Sequence, residues 1–279
     1  MTNLMVRLAP GAPNQAVLEL TADLAARLGA SRVIGISARQ PMQIYGGPEM
    51  YVPPELVNWD REQMAGELEA AEKEFRSALG SKVPAVEWRS TVVTYGSIAD
   101  YVARQMRAAD LLVTAAEEER FDLDRSRHVN AADLVLRAGK PVLIAAAAER
   151  KVDLRTVVVA WKEAREARRA VQDALPLLAL ADRVVVVAIA ASADLADART
   201  RTQDVANWLA EHKIKASARA VVAAESDAAQ LRNIASDLEL DAGLVVGGGY
   251  GHTRLREWVL GGVTRDLLLR PARCALVAH

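Results

Sequence analysis

Two hydrophobic periods alternate along the chain. Thr156–Ala160 is a β-branched run and predicts a strand. Glu163–Leu178 carries apolar residues near a 3.6-residue spacing and predicts a helix, with Pro176 ending it or kinking its last turn. Arg183–Ile189 predicts a buried strand, Asp194–Glu211 a helix, and the alternating Lys215–Val222 another strand. Ser226 is placed to N-cap a helix running to about Glu239. Leu244–Val246 predicts a strand ending in glycines, Trp258–Leu269 a helix, and Cys274–Val277 the last strand. The earlier part of the chain follows the same order, with Ser97 capping a helix over Ile98–Arg107. Strands alternating with helices predict a parallel, doubly wound α/β sheet.

The order recurs because the chain repeats itself. Ile98–Ala145 aligns with Leu231–Ala278 at an offset of 133 residues, which holds at Asp133/Asp266, Leu134/Leu267, Leu136/Leu269, Arg137/Arg270 and Leu143/Leu276. Leu4-Met-Val matches Val157-Val-Val, and Ser31-Arg-Val-Ile matches Asp182-Arg-Val-Val. The first unit is longer in its middle, where Gln40–Asp60 is rich in Pro, Gly and Tyr. A boundary near Ala148–Asp153 gives two domains, 1–150 and 151–279. Each is expected to hold an open, mostly parallel five-stranded sheet flanked by helices.

Composition narrows the function classes. With 35 basic and 36 acidic residues the net charge is −1, which gives no bulk electrostatic case for nucleic acid or an anionic membrane. One Cys excludes an internal disulfide framework, and four scattered His show no metal-ligand spacing. Apolar runs such as Val184–Ala191 are about half the roughly 20 residues that span a bilayer. Met1–Leu8 lacks the pattern of a secretory signal, so a cytoplasmic location is expected. Aromatics are only 4%, so the core is expected to be Ala, Val and Leu, which suits parallel sheets under helices.

One stretch carries a chemical signal, Val246-Gly-Gly-Gly-Tyr-Gly-His-Thr-Arg-Leu-Arg-Glu-Trp-Val-Leu-Gly-Gly-Val-Thr264. It leaves a strand and enters a helix. In parallel sheets ligands bind beyond the strand carboxyl ends, and glycines there let backbone N–H groups approach an anion. The spacing Gly248-x2-Gly251-x9-Gly261, with its flanks and the duplication, resembles the universal stress protein family in its tandem form. The resemblance implies ATP or another adenine nucleotide, with the glycines and a following Ser or Thr holding phosphates and an Asp after the first strand contacting the nucleoside. It also implies a stress-survival role and pairing through the last strand of each domain.

On that reading Gly248, Gly251, His252, Arg254, Gly261, Gly262, Thr264, Lys162 and Val222 form the candidate binding set, with no catalytic residue and no metal ligand. Three features depart from the family pattern. Gly262 stands where the hydroxyl residue belongs, with Thr264 two residues on. Lys162 lies where the acid belongs, and an ammonium cannot accept hydrogen bonds as a carboxylate does. In the first unit the motif glycines become Ala115, Glu118 and His128, and Glu117-Glu-Glu119 brings negative charge, so no nucleotide is expected there.

A tight strand-to-helix turn without a ligand explains the same glycines. Arg254 and Arg256 fit a solvated face as well as a phosphate, and His252 fits a surface loop. Cys274 reads as a small core hydrophobe, Trp161 as a base-stacking or core residue, and Trp258 as helix–sheet packing. Pro41–Pro54 reads as a lid, a partner surface or an insertion. No Ser-His-Asp, Cys-His, P-loop or GxGxxG pattern is present. Two functions stand: a nucleotide-binding stress module, and a nucleotide-free scaffold acting through protein contacts. Pairing of the two domains about a pseudo-twofold axis is expected, and dimerisation of two chains with it. A slow hydrolase would need an acid, a base or a metal ligand that the sequence does not show.

Overall fold

The computed structural model describes residues 1–42, 52–116, 129–147, 149–249, 263, 267 and 273–279. Ten strands run in chain order: β1 (Asn3–Arg7), β2 (Arg32–Arg39), β3 (Val86–Val92), β4 (Leu111–Ala115), β5 (Val142–Ala145), β6 (Thr156–Ala160), β7 (Arg183–Ala190), β8 (Ala216–Val222), β9 (Leu244–Gly248) and β10 (Cys274–Ala278). Among them lie α1 (Gln15–Leu28), α2 (Pro54–Leu79), α3 (Ile98–Gln105), α4 (Ala131–Ala138), α5 (Arg165–Leu178), α6 (Leu195–Glu211) and α7 (Asp227–Ser236).

All ten strands share one sheet, in the order β3-β2-β1-β4-β5-β10-β9-β6-β7-β8. Every neighbouring pair is parallel except β5 with β10, which run antiparallel. Leu143 pairs with Leu276 across that junction. These two residues are equivalents in the repeat, so the halves meet about a pseudo-twofold axis through their last strands. The pairing buries two short apolar edges, and the open edges of the sheet are β3 and β8. The result is two doubly wound units sharing one continuous sheet.

The core forms a layer on each face of that sheet. On one face α1, α2, α5 and α6 bury Leu18, Leu24, Phe75, Val171, Leu177 and Leu209 against Leu4, Val6, Val157 and Val184. On the other, α3, α4 and α7 bury Ile98, Val102, Val135, Leu231 and Ile234 against Met5, Ile34, Val158 and Val245. Central strands are buried on both faces, and their sequences are near-continuous Val, Leu and Ile.

Several boundaries differ from the sequence reading for local reasons. The Ser97 hydroxyl accepts from the Asp100 N–H at 3.1 Å, and the Asp100 carboxylate caps back. The α-helix stops at Gln105, and Met106–Ala108 form a 3-10 turn. Ser226 caps α7 as expected. That helix ends at Ser236 and not near Glu239, because the Arg273 guanidinium takes the carbonyl of Ala235 and also that of Ala242. The two capping serines are 129 residues apart while β4 and β9 are 133 apart. Thus α7 starts about one turn earlier than α3, a shift that leaves its apolar face in register. The extra length of the first unit is helix as well as loop, since α2 has 26 residues and α6 has 17. Pro176 lies in the last turn of α5, which ends two residues later.

Candidate functional site

In the second half, β6 has β7 on one side and β9 on the other, so the order of winding reverses between β6 and β9. A crevice at such a reversal, beyond the strand carboxyl ends, is where open α/β sheets place ligands. Ala160 ends β6 there and Trp161 and Lys162 follow it, beside Gly247 and Gly248 of β9 and Gly249 just past it. The last rung of the ladder pairs Ala160 with Gly247.

The two halves differ most at that rung. Its counterpart in the first half pairs Arg7 with Thr114. Arg7 is 8% exposed, and its Nη1 donates to Thr114 Oγ1 at 3.4 Å. A guanidinium and a hydroxyl therefore meet at the first rung, where Ala160 and Gly247 bring only a methyl group and bare backbone to the second. A Cβ placed on Gly247 would lie 3.8 Å from Ala160 Cβ and 3.2 Å from the tip of Leu267.

The first crevice is also closed from above. Seven residues connect β1 to α1, against four between β6 and α5. Buried Asn14 pins that longer loop: its Oδ1 accepts from the Ala9 N–H at 2.9 Å, and its Nδ2 donates to Ala12 O at 2.9 Å. Nδ2 also donates to Glu74 of α2 at 3.1 Å, and Arg39 holds Pro10 O while pairing with Glu67. Arg7, Thr114 and Asn14 escaped the sequence reading. The signal was there in Arg7, a charge ending an apolar strand where the repeat has Ala160.

Gly248 and Gly249 are each closely packed by neighbouring helices. A Cβ on Gly248 would sit 2.7 Å from the Ala167 nitrogen and the Glu166 carbonyl carbon, so its missing side chain admits the first turn of α5. One on Gly249 would meet Val135 of α4 at 2.8 Å. The Gly249 N–H donates to Ala278 O at 2.7 Å, and the His279 ring bonds the Gly249 carbonyl at 2.7 Å. The close approach expected for an anion is, at Gly248, made by protein.

Lys162 is exposed just past β6. Trp161 is half-buried, its N–H bonds Val187 O at 2.7 Å, and its indole Nε1 is buried with no hydrogen-bond partner among the described residues. Val222 ends edge strand β8 and is 41% exposed. With β6 and β7 between, it lies about 14 Å across the sheet from Gly248, three strand spacings. Gln230, also missed, pins the turn there: its Nε2 donates to Val222 O at 2.7 Å. Gly251, His252, Arg254, Gly261, Gly262 and Thr264 lie outside the described residues, as do Arg256, Trp258 and Glu117–Glu119. Val263 and Leu267 are both helical, and Leu267 is buried against the sheet.

Among the described residues no cluster of three or more His, Cys, Asp or Glu could hold a metal, and no helix is long and apolar enough to cross a membrane. Cys274 is buried, and burial pushes its thiol up to about 11.

The geometry defines a class: tandem doubly wound α/β proteins whose halves share a sheet through their last strands. No family model matches the chain, and no curated protein does. Solved structures do. A universal stress protein from Archaeoglobus fulgidus DSM 4304 matches with a TM-score of 0.71 at 12% identity, over 99% of this chain and 95% of that one. A Pseudomonas aeruginosa UCBPP-PA14 protein assigned to the universal stress proteins matches at 0.65 and 16% identity, over 100% and 93%. The functionally unknown protein PA1789 of Pseudomonas aeruginosa PAO1 matches at 0.62 and 14%, over 100% and 92%. The chain has the universal stress protein fold in its two-domain form.

Proposed function

We propose that this chain is a tandem universal stress protein, a stress-response binding module that takes one adenine nucleotide at the β6/β9 crevice and none at the β1/β4 crevice. The observation that carries the reading is the last rung of each half. The side chains of Arg7 and Thr114 meet at one, while Ala160 and Gly247 bring only a methyl group and backbone to the other. Lys162 at its mouth supplies a cation for a phosphate, and the half-buried indole of Trp161 a flat apolar surface for a base. Gly251, Gly261, Gly262 and Thr264 follow in sequence and would present N–H groups and a hydroxyl to the phosphates. Residues 1–150 and 151–279 act as the two domains. A cytoplasmic homodimer belongs to the same proposal, and its chemistry is binding, with no turnover assigned.

A second reading is a nucleotide-free scaffold. It is favoured by Gly248, whose open side is filled by Glu166 and Ala167 of α5, and by Lys162 standing where an acid would hold the nucleoside. The two readings separate in one experiment. Protein purified without added nucleotide is denatured and its supernatant resolved for nucleotides. The stripped protein is then titrated with ATP, ADP and AMP beside a Gly251→Glu variant. Binding that Gly251→Glu abolishes without loss of fold supports the nucleotide reading. No release and no binding at millimolar nucleotide establishes the scaffold, and unchanged affinity in Gly251→Glu removes the proposed site.

A further inference from the structure

The exposed apolar residues of this chain are not scattered. Of eight large hydrophobics that are exposed among the described residues, five lie near the carboxyl ends of β2 and β3: Leu56, Val57, Trp59, Val92 and Tyr95. Two hydrogen bonds draw that region together. Gln40 Nε2 donates to Gly96 O at 2.7 Å, and the Met42 N–H donates to buried Asp60 of α2 at 2.9 Å. Trp59 is 55% exposed, and single exposed hydrophobics of that size are less informative than a cluster.

The first turns of α2 arrange charge around that indole. Helix α2 buries Asp60, Met64, Leu68, Ala71, Phe75 and Leu79 on its inner stripe. Over its first turns the outer stripe reads Glu55, Trp59, Glu62, Gly66 and Glu69, each three or four residues from the last and so adjacent on the helix surface, and Lys73 continues it beyond them. All five are exposed, and nothing lies within 4 Å of where a Gly66 Cβ would be. Glu55, Glu62 and Glu69 form no ion pair among the described residues, whereas Glu67 and Glu72 of the same helix are paired with Arg39 and Arg76. An aromatic face with an unpaired carboxylate one turn to either side matches a cationic side chain twice, by charge and by cation–π attraction.

The second half has no such stripe. β3 and β8 correspond at an offset of 130 residues, which sets Leu195, the start of α6, against Ala65. All of Glu55–Glu62 therefore lies in turns that α6 lacks. The Trp of α6, Trp208, is half-buried and stacks on His212 at 4.3 Å.

We propose that the outer stripe of α2 is a docking surface for a basic peptide segment of a protein partner, with a Lys or Arg seated on Trp59 between Glu55 and Glu62. A second copy packed antiparallel about Trp59 would set Glu55 against Glu62, so in that register charge selects a basic partner over a second copy. The probe is a fluorescent lysine-rich peptide with alanine spacers, and its counterpart with glutamate for lysine. Anisotropy titrations use the full chain at low and at physiological salt. The lysine peptide is expected to bind, more weakly as salt rises, and the glutamate peptide is not. Trp59→Ala, and separately Glu55→Gln with Glu62→Gln, are each expected to weaken binding about two- to fivefold. Asp204→Asn with Glu211→Gln, which removes equal charge from exposed positions of α6, is expected to leave it unchanged. Three results overturn the proposal. These are no binding of the lysine peptide, equal losses in the α2 and α6 variants, or Trp59-dependent self-association by sedimentation without peptide, which assigns the stripe to a second copy.

Discussion

Gly248→Ala tests how the second crevice is built. The added methyl carbon would lie 2.7 Å from Ala167 N, 2.7 Å from the Glu166 carbonyl carbon and 2.9 Å from Glu166 Cβ. Comfortable carbon contacts are about 3.5–4.0 Å, so the first turn of α5 must retreat by close to 1 Å. Two of the three obstacles are backbone atoms, and they sit at the start of a helix whose Ala170, Ala174 and Leu177 are fully buried. No side-chain rotation relieves the clash. Overpacking of this kind costs about 1–3 kcal/mol. At roughly 2–4 °C per kcal/mol for chains of this size, the melting midpoint should fall by several degrees. Gly247→Ala is the near control. Among the described residues its new methyl crowds the movable tip of Leu267 at 3.2 Å and touches Ala160 Cβ at an ordinary 3.8 Å, so the cost should be about 1 kcal/mol or less. Gly66→Ala is the far control: it is open, lies inside α2, and should stabilise by about 0.5–1 kcal/mol. Urea midpoints of the three variants and the parent make the comparison. If Gly248→Ala is as stable as the parent, α5 does not press on Gly248. A stable variant that has lost nucleotide would give that glycine back to the ligand.

Three further outcomes follow from particular contacts. Ser97→Ala should cost about 1 kcal/mol, because it removes one side of a reciprocal cap with Asp100, and urea titration reads the loss. Cys274, held up at about 11 by burial, should react with a thiol reagent at neutral pH only as fast as the chain opens; rapid labelling of the folded protein would contradict its place in β10. Acid titration should separate two aspartates. Burial pushes Asp110 up, but hydrogen bonds from Asn3 and Thr2 outweigh it and leave the carboxyl below its ordinary value near 3.9, so its stabilisation is full above that value and fades as pH falls through the lower one. Burial holds Asp173 above its ordinary value although Arg169 lies 3.7 Å from its Oδ2, so stability falls as pH rises from the ordinary value through the raised one; Asp173→Asn should abolish this fall, and Asp110→Asn should flatten the acid limb.

Much of the architecture was readable because it rests on period and repetition. The β-branched runs at 156–160 and 183–190 and the serine caps at 97 and 226 each have a local cause, and each element forms where that cause acts. The ungapped repeat concealed one change. Four residues added at the start of α7 preserve a helical face, so Ile98 and Leu231 still align while the caps do not. The site was less readable. A glycine needed by a neighbouring helix and a glycine needed by a phosphate look alike in one sequence, and only the position of α5 shows which demand Gly248 meets. Arg7 was legible as an anomaly, but its use depends on Thr114, 107 residues away. Val222 ends β8, and only the strand order shows that β8 is the outermost strand of its half. The length of α2 hid inside a segment rich in Pro and Gly, because Pro54 begins the helix, a position where its missing N–H costs nothing.

The two halves differ at the last rung: the side chains of Arg7 and Thr114 meet in one, and Ala160 and Gly247 bring only a methyl group and backbone to the other, which is proposed to admit one nucleotide. Calorimetric titration of stripped protein with ATP, beside an Ala160→Arg variant that copies Arg7 into the second rung, tests this directly. The account predicts one nucleotide per parent chain and none for the variant, with the variant still folded. Two per chain, or undiminished binding by folded Ala160→Arg, would contradict it.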